Sequence, residues 1–134
     1  YLVALPPGEM TDAGDILSWE HVLALPLILY PDDNSCFADV QRYAQEAGHS
    51  LVPQYQFRET STILSMVAQG LGAAIVPWLS AIACPEGVHL AHLPSPLERR
   101  VGAVTLKDAL HSPAVFTFLA ILREAPITPD TNLA

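Results

Sequence analysis

The chain has 134 residues, 51% of them hydrophobic and 15% charged, which is long and apolar enough to bury the core of one domain or one lobe. Its net charge of -8, with only six Lys and Arg residues, argues against a nucleic-acid-binding surface, because such surfaces need clustered cations. Two cysteines without metal-ligand spacing exclude a disulfide framework and favour a reducing, cytoplasmic setting, and no apolar run approaches the ~18 residues of a membrane span. Because the sequence opens on Tyr1 instead of Met, we expect a fragment or a processed product.

The first third of the chain is predicted to form short strands around one helix. Tyr1–Leu5 is an apolar run that prolines end, which indicates a strand that leads into a turn. Asp15 is a candidate cap for a short helix through Trp19 to Leu25. Leu27–Tyr30 then has the continuous apolar character of a buried strand.

A turn and a second helix follow this strand. Pro31–Ser35 is rich in residues that form turns and cap helices. Apolar residues then recur at helical spacing until Gly48, at Phe37, Val40, Tyr43 or Ala44, and Ala47. Gln54–Glu59 alternates as a strand, with Tyr55 and Phe57 on one face.

The stretch Glu59–Pro77 contains the most regular pattern in the chain. Apolar residues at Ile63, Leu64, Met66, Val67 and Leu71 have the spacing of a helix with one buried face. The hydroxyl residues Thr60–Thr62 precede that face, where they can cap backbone N–H groups. Gly70 and Gly72 permit the turn that ends the helix, and a short buried strand is predicted from Gly72 to Val76.

The last third continues the alternation of strands and helices. Pro77–Ala83 is predicted to form a helical turn or two, and Val88–Leu93 and Arg99–Leu106 are predicted strands. Ser112 and Pro113 are typical of the cap and the first position of a final helix. The alternation indicates an α/β sheet, mostly parallel, whose ligands bind beyond the carboxyl ends of the strands. Two turns meet that description, Pro31–Cys36 and Glu59–Thr62.

Several motifs in this order resemble the effector-binding domain of LysR-type transcriptional regulators, most closely those that respond to aromatic-degradation intermediates. The resemblance rests on LPLILYPDD, FADVQRYAQEAG, ETSTILSMVAQGLGAAIVP, GVHLAHL and HSPAVFTFLAILRE. The family signature LVAxGxGxxxxP corresponds to Met66 through Pro77, and SPAxxxF corresponds to Ser112 through Phe118. Each motif alone is weakly specific, but together they extend along most of the chain.

The resemblance implies a periplasmic-binding-protein-like (type II) fold, in which two α/β lobes enclose a ligand cleft. Residues 1–8 would be the strand that enters the second lobe, and residues 9–98 would form that lobe. Residues 99–125 would supply the return strand and the last helix of the first lobe, followed by a tail over 126–134. The family's winged helix-turn-helix and most of the first lobe are absent from this sequence, so the two-lobe domain would be incomplete and contact with promoter DNA would need the missing N-terminal domain.

By position, the resemblance places the effector-binding residues on the two turns. The candidates are Pro31, Asp32, Asp33, Asn34, Ser35, Cys36, Thr60, Ser61 and Thr62. N–H groups and hydroxyls at two helix starts suit a carboxylate or a similar anion, such as an acid of an aromatic pathway. The carboxylates of Asp32 and Asp33 oppose such an anion, and Arg58 is included as the cation that could offset one of them.

Other interpretations of the same residues remain open. The hydroxyls of Thr60–Thr62 either cap the helix alone or also contact ligand, and the two aspartates are either solvated turn residues or ligand groups. Cys36 is either an oxidant-sensitive thiol at a helix start or a small, partly buried side chain. His89 and His92 would lie on opposite faces of a strand, so no metal site is predicted there.

The sequence predicts a binding protein in preference to an enzyme, because it has no nucleophile elbow, phosphate-binding loop or zinc-protease motif. No cofactor is expected, and no membrane association. The predicted function is small-molecule sensing by a cytoplasmic regulator that forms a homodimer or homotetramer, because an open sheet edge tends to pair. The alternatives are a solute-binding protein of a transport system and a fragment without a complete site.

Overall fold

The computed structural model describes residues 1–9, 16–107 and 111–124, which divide into two compact units at Arg99. In the first unit the strands are β1 (Leu2–Leu5), β2 (Ile28–Leu29), β3 (Tyr55–Gln56), β4 (Ala74–Val76) and β5 (His89–His92). Its helices are α1 (Trp19–Ala24), α2 (Ser35–Glu46), α3 (Thr60–Ala68) and α4 (Trp78–Ala81). The second unit contains α5 (Pro113–Glu124).

These elements match the predicted order, with shorter strands than the sequence suggested. The predicted strand Gln54–Glu59 is reduced to Tyr55–Gln56, whose side chains are exposed. Ser18 caps α1 by accepting a hydrogen bond from the N–H of His21 at 3.2 Å. The predicted cap Asp15 and the tail 126–134 lie outside the described residues.

The strands of the first unit run in one direction except for β1. β1 is antiparallel to both β4 and β5, with Leu2 opposite Val76 and His92. β2 is parallel to β3, and a parallel bridge from Leu27 to Ala73 connects β2 to β4. Four strands, β2 to β5, therefore run in the same direction, as the prediction of a mostly parallel sheet requires, and β1 runs in the opposite direction.

Helices cover both faces of β1, so its four residues are all buried. Val3 and Leu5 pack with residues of α1 and α2, whereas Ala4 packs with residues of α3 such as Ile63 and Val67. This division follows from the strand geometry, because successive side chains point to opposite faces. It also explains the continuous apolar run, which is typical of a strand with two covered faces.

The turn between α3 and β4 is held against the start of β2. The N–H of Ala73 donates to the carbonyl oxygen of Pro26 at 2.9 Å, and the N–H of Ile28 donates to the carbonyl oxygen of Ala73 at 2.8 Å. Gly72 has a φ of +154°, and a Cβ there would lie 2.1 Å from the Pro26 carbonyl oxygen. Glycine is therefore required where the backbone of this turn approaches the backbone before β2.

In the second unit, α5 begins at Pro113 as predicted, and the Ser112 carbonyl oxygen accepts from the N–H of Val115 at 3.0 Å. The strand predicted over Arg99–Leu106 is wrong, because no strand is assigned to these residues. A strand needs a hydrogen-bonded neighbour, and no other strand occurs in the described part of the second unit (100–107 and 111–124). No helix of the described residues is both long and apolar enough to cross a membrane.

Candidate functional site

Several chain segments of the first unit meet where the parallel strands end. β2 ends before Tyr30 and Pro31, and β3 ends before Phe57 and Arg58. Because β1 runs in the opposite direction, its entry residue Tyr1 reaches the same edge of the sheet. We call residues 30–36, residues 57–62 and Tyr1 the carboxyl edge, which is where ligands bind in sheets of this kind.

The start of α2 is capped by its own chain. The N–H of Asn34 donates to the Pro31 carbonyl oxygen at 2.9 Å, and the Asn34 side-chain oxygen accepts from the N–H of Cys36 at 2.8 Å. Ser35 is the first helical residue and is exposed. The prediction that this turn supplies a helix cap is confirmed, with Asn34 in that role.

Two side chains of the β3 segment hold the aspartates of this turn. The Gln56 amide donates to Asp32 at 2.9 Å, and the Arg58 guanidinium donates to Asp33 at 2.7 Å. The hydrogen bond from Arg58 lowers the pKa of Asp33 below its ordinary value. The charge of Arg58 thus offsets one of the two carboxylates, as the sequence suggested.

The start of α3 has a different chemistry. Its N-cap residue is Glu59, which makes no side-chain capping bond, and the first helical bond joins the N–H of Ile63 to the Glu59 carbonyl oxygen at 3.1 Å. Thr60–Thr62 form the polar helix start that the sequence predicted, since all three belong to the first turn of α3, but the predicted capping by their hydroxyls is wrong, because the N-cap is Glu59 and none of the three hydroxyls accepts from a backbone N–H group in the described residues. Their backbone N–H groups precede the helical hydrogen-bond ladder, as in every α-helix.

The hydroxyl of Thr60 instead bonds to the hydroxyl of Tyr30 at 2.7 Å. Tyr30 is buried, and Thr60 and Thr62 are half-buried, whereas Ser61 is exposed. Burial raises the pKa of Tyr30 above its ordinary value. The Tyr30–Thr60 pair therefore joins the end of β2 to the start of α3 by a neutral contact at the carboxyl edge.

Cys36 accounts for a second contact that the sequence did not predict. Its thiol is buried and accepts a hydrogen bond from the Arg99 guanidinium at 3.3 Å. Tyr1 is half-buried against the same apolar cluster as Cys36 and Tyr30. Burial raises the pKa of the Tyr1 hydroxyl above its ordinary value.

Tyr1 is also connected to α2 through a carboxylate. Its hydroxyl donates to one oxygen of Asp39 at 3.2 Å, and Arg42 donates to the other oxygen at 3.1 Å. The Tyr1–Asp39 contact joins residues 38 positions apart, and Arg99 lies 63 positions from Cys36. No local pattern in the sequence signals them, so the fold alone brings Tyr1 and Arg99 to the candidate site.

Chemically, the carboxyl edge offers hydroxyls, N–H groups at two helix starts and a guanidinium, which are donors suited to a small polar molecule or an anion. His89 and His92 are both exposed at the ends of β5. Within residues 1–9, 16–107 and 111–124, no group of three or more His, Cys, Asp or Glu side chains is placed to hold a metal ion.

Sequence comparisons give the chain a family context. The family model described as "LysR substrate binding domain" matches residues 1–126. A protein of Synechococcus elongatus, described as a probable HTH-type transcriptional regulator LrrA, is 43% identical over 122 residues. The match covers 91% of this chain and 41% of that protein, so the chain spans less than half of that curated relative.

Solved structures of low sequence identity support the fold. HinK, a LysR family transcriptional regulator from Pseudomonas aeruginosa, matches with a TM-score of 0.73 and 22% identity, over 92% of this chain and 44% of that one. The BenM effector-binding domain, solved with its effector benzoate, matches with a TM-score of 0.63 and 18% identity, over 99% of this chain and 64% of that one. The predicted periplasmic-binding-protein-like α/β fold is confirmed by the family match and these neighbours.

Proposed function

The chain belongs to the LysR substrate-binding domain family, and we propose on this basis that it is the effector-sensing part of a LysR-type transcriptional regulator. In this proposal, residues 1–8 enter the second lobe, residues 9–98 form it, and residues 99–125 return to the first lobe. The regulator descriptions of the relatives favour this function over solute capture for transport. The family's members are regulators, and we propose that this chain binds its small molecule without catalysing a reaction.

The observation that carries the proposal is the convergence of the candidate residues on one edge of the sheet. The turn that holds Asp32–Cys36 and the first turn of α3 are brought together through the Tyr30–Thr60 contact of 2.7 Å. The N–H groups of Thr60–Thr62 and the hydroxyls of Ser61 and Thr62 are the donors we assign to the effector.

Support for an acidic effector comes from the donors at this edge. Helix starts carry partial positive charge, and backbone N–H groups there suit a carboxylate. Benzoate is the effector named for the BenM domain, whose fold this chain shares. We therefore propose a small organic acid as the effector, with an aromatic acid as the first candidate.

The proposed mechanism is a shift between two arrangements of the whole regulator. An effector that binds one arrangement more tightly than the other increases the population of the arrangement it prefers. The size of this shift is set by the difference between the two affinities. We propose that an N-terminal domain outside this sequence binds promoter DNA. We also propose that the regulator is cytoplasmic and acts as a homodimer or homotetramer.

The proposal is tested by a binding screen on the full-length protein. The screen uses benzoate, 4-hydroxybenzoate, succinate and pyruvate, with thermal shift first and calorimetry on each compound that stabilises the protein. Replacing Thr62 with Val removes one of the hydroxyls assigned to the effector but keeps the branched shape. We expect this variant to weaken binding by roughly threefold to tenfold, the value of about one hydrogen bond.

Ser65→Ala is the matched control, because Ser65 lies on the same helix and its exposed hydroxyl donates to the Ser61 carbonyl oxygen at 2.8 Å. This variant is expected to bind as the wild type does. Equal effects of the two variants would contradict the assignment of the α3 start. If none of the four acids bound the wild type, the proposal of an acid-sensing domain would be wrong.

A further inference from the structure

Three arginines lie in the first unit, and two of them are already paired with carboxylates. Arg42 contacts Asp39 at 3.1 Å, and Arg58 contacts Asp33 at 2.7 Å. Arg99 has no carboxylate within ion-pair distance among the described residues, and its hydrogen bond goes to the thiol of Cys36. Arg99 is also exposed, so its guanidinium is accessible to an incoming anion.

The partner of Arg99 leaves most of its donor capacity unused. A thiol is a weak acceptor, whereas a guanidinium carries five N–H donors in a planar fork. The planar fork matches a carboxylate, which can accept two of these hydrogen bonds at once and is bound more strongly than a neutral acceptor. An incoming carboxylate that replaced the thiol would therefore exchange one weak hydrogen bond for two stronger ones.

The surroundings of Arg99 place it at the carboxyl edge. Cys36 is in the first turn of α2, where the Asn34 side chain caps its N–H group. Burial raises the pKa of Tyr1 and of Tyr30, and the positive charge of Arg99 opposes part of this rise. The cation therefore acts electrostatically on the tyrosine that bonds to Thr60 at the start of α3.

We propose that Arg99 is the specificity-determining cation of this site and binds the carboxylate of an acidic effector in place of the Cys36 thiol. The inference rests on the proposed function and names a residue that the candidate turns do not include. It also assigns a different role to Arg58, which holds the Asp32–Asp33 turn and does not contact the effector. The site would then select acids over their neutral amides, because only the acid forms a charged pair with Arg99.

The test measures binding of acids and amides to the full-length protein and its variants. The acids are benzoate, 4-hydroxybenzoate, succinate and pyruvate, and each is paired with its primary amide. Arg99→Gln removes the charge, and Arg99→Lys keeps it without the planar fork. Arg123→Gln, on α5, removes one positive charge outside the candidate site and serves as the matched control.

The wild type is expected to bind at least one acid tenfold or more tightly than its amide. Arg99→Gln should abolish that ratio, Arg99→Lys should restore part of it, and Arg123→Gln should retain it. If Arg99→Gln kept the wild-type ratio, or if the amides bound as tightly as the acids, the role of Arg99 would be wrong while effector sensing stood. If no acid and no amide bound the wild type, both proposals would be overturned.

Discussion

The starts of α2 and α3 lie at the same edge of the sheet, yet they differ in how their first N–H groups are used. At α2, the Asn34 side chain accepts from the N–H of Cys36 at 2.8 Å. At α3, Glu59 occupies the equivalent position and makes no side-chain capping bond. The start of α2 is stabilised by a side-chain cap, whereas the first N–H groups of α3 have no side-chain cap and remain available as donors.

The neighbouring contacts follow the same division. The α2 turn is held by Arg58 on Asp33 and by Gln56 on Asp32, both from the β3 segment. The α3 start contacts the rest of the edge through the hydroxyls of Thr60 and Tyr30. We infer that the first turn is chiefly structural and that effector binding depends more on the second.

The largest effect is expected from Gly72→Ala, which would displace α3. A Cβ at this position would lie 2.1 Å from the Pro26 carbonyl oxygen, and neither backbone can move without breaking the bonds that connect β2 to β4. We expect a loss of about 3 kcal/mol or more in the free energy of unfolding, or failure to fold, because overpacking adds to backbone strain. Chemical denaturation of the full-length protein measures this change.

Gly70→Ala is the control for that substitution. Gly70 also has a positive φ, +78°, but an added Cβ would meet nothing within 4 Å. It should cost only about 1–2 kcal/mol, the penalty of a left-handed conformation. If both substitutions cost the same, the close approach of Gly72 to Pro26 would not be what fixes this turn.

The capping difference is tested by two alanine substitutions at equivalent positions. Asn34→Ala should destabilise the protein by about 1 kcal/mol, because α2 loses the acceptor for the N–H of Cys36. Glu59→Ala should leave stability nearly unchanged, because the Glu59 side chain makes no capping bond. Thermal unfolding of the two variants side by side measures the difference, and equal losses would contradict it.

The smallest effect is expected from Asp33→Asn, which removes an exposed ion pair. The pKa of Asp33 is lower in the folded chain, chiefly through its bond with Arg58, so the folded state binds fewer protons than the unfolded state. The stabilisation is therefore present at neutral pH and is lost as the pH falls through the folded-state pKa. It should also weaken in high salt.

The measurement compares thermal unfolding of wild type and Asp33→Asn at neutral and acidic pH. Asp32→Asn is the neighbouring control, because Asp32 accepts from a neutral amide and has no ion pair among the residues described. The gap between wild type and Asp33→Asn should close in acid. A gap that persisted below the folded-state pKa would show that Asp33 stabilises the turn by other means.

Much of the fold was predictable because local signals and periodicity agreed. The spacing of Ile63 and Val67 and the prolines and glycines around them gave the position of α3, and the cap-rich turn before α2 contains the cap that the structure has. The predicted strand over Arg99–Leu106 was wrong, because the residue pattern reflects only the strand preference of the segment. It does not indicate whether another strand lies beside the segment to pair with it.

The candidate site was predictable only where it is local. The two turns follow strands whose order places them at one edge, which is why Asp33 and Thr60 could be proposed together. The contacts of Arg99 with Cys36 and of Tyr1 with Asp39 depend on how distant segments pack. The Tyr30–Thr60 pair was missed for the same reason, although both residues lie beside predicted turns.

Hydrogen exchange of the full-length protein, with and without the acid that binds best in the screen, tests the central claim most directly. If the α3 start is the effector site, the amides of residues 60–62 should gain the greatest protection, with a smaller change at 34–36. Protection confined to other segments, such as residues 41–49, with 60–62 unchanged, would contradict the account.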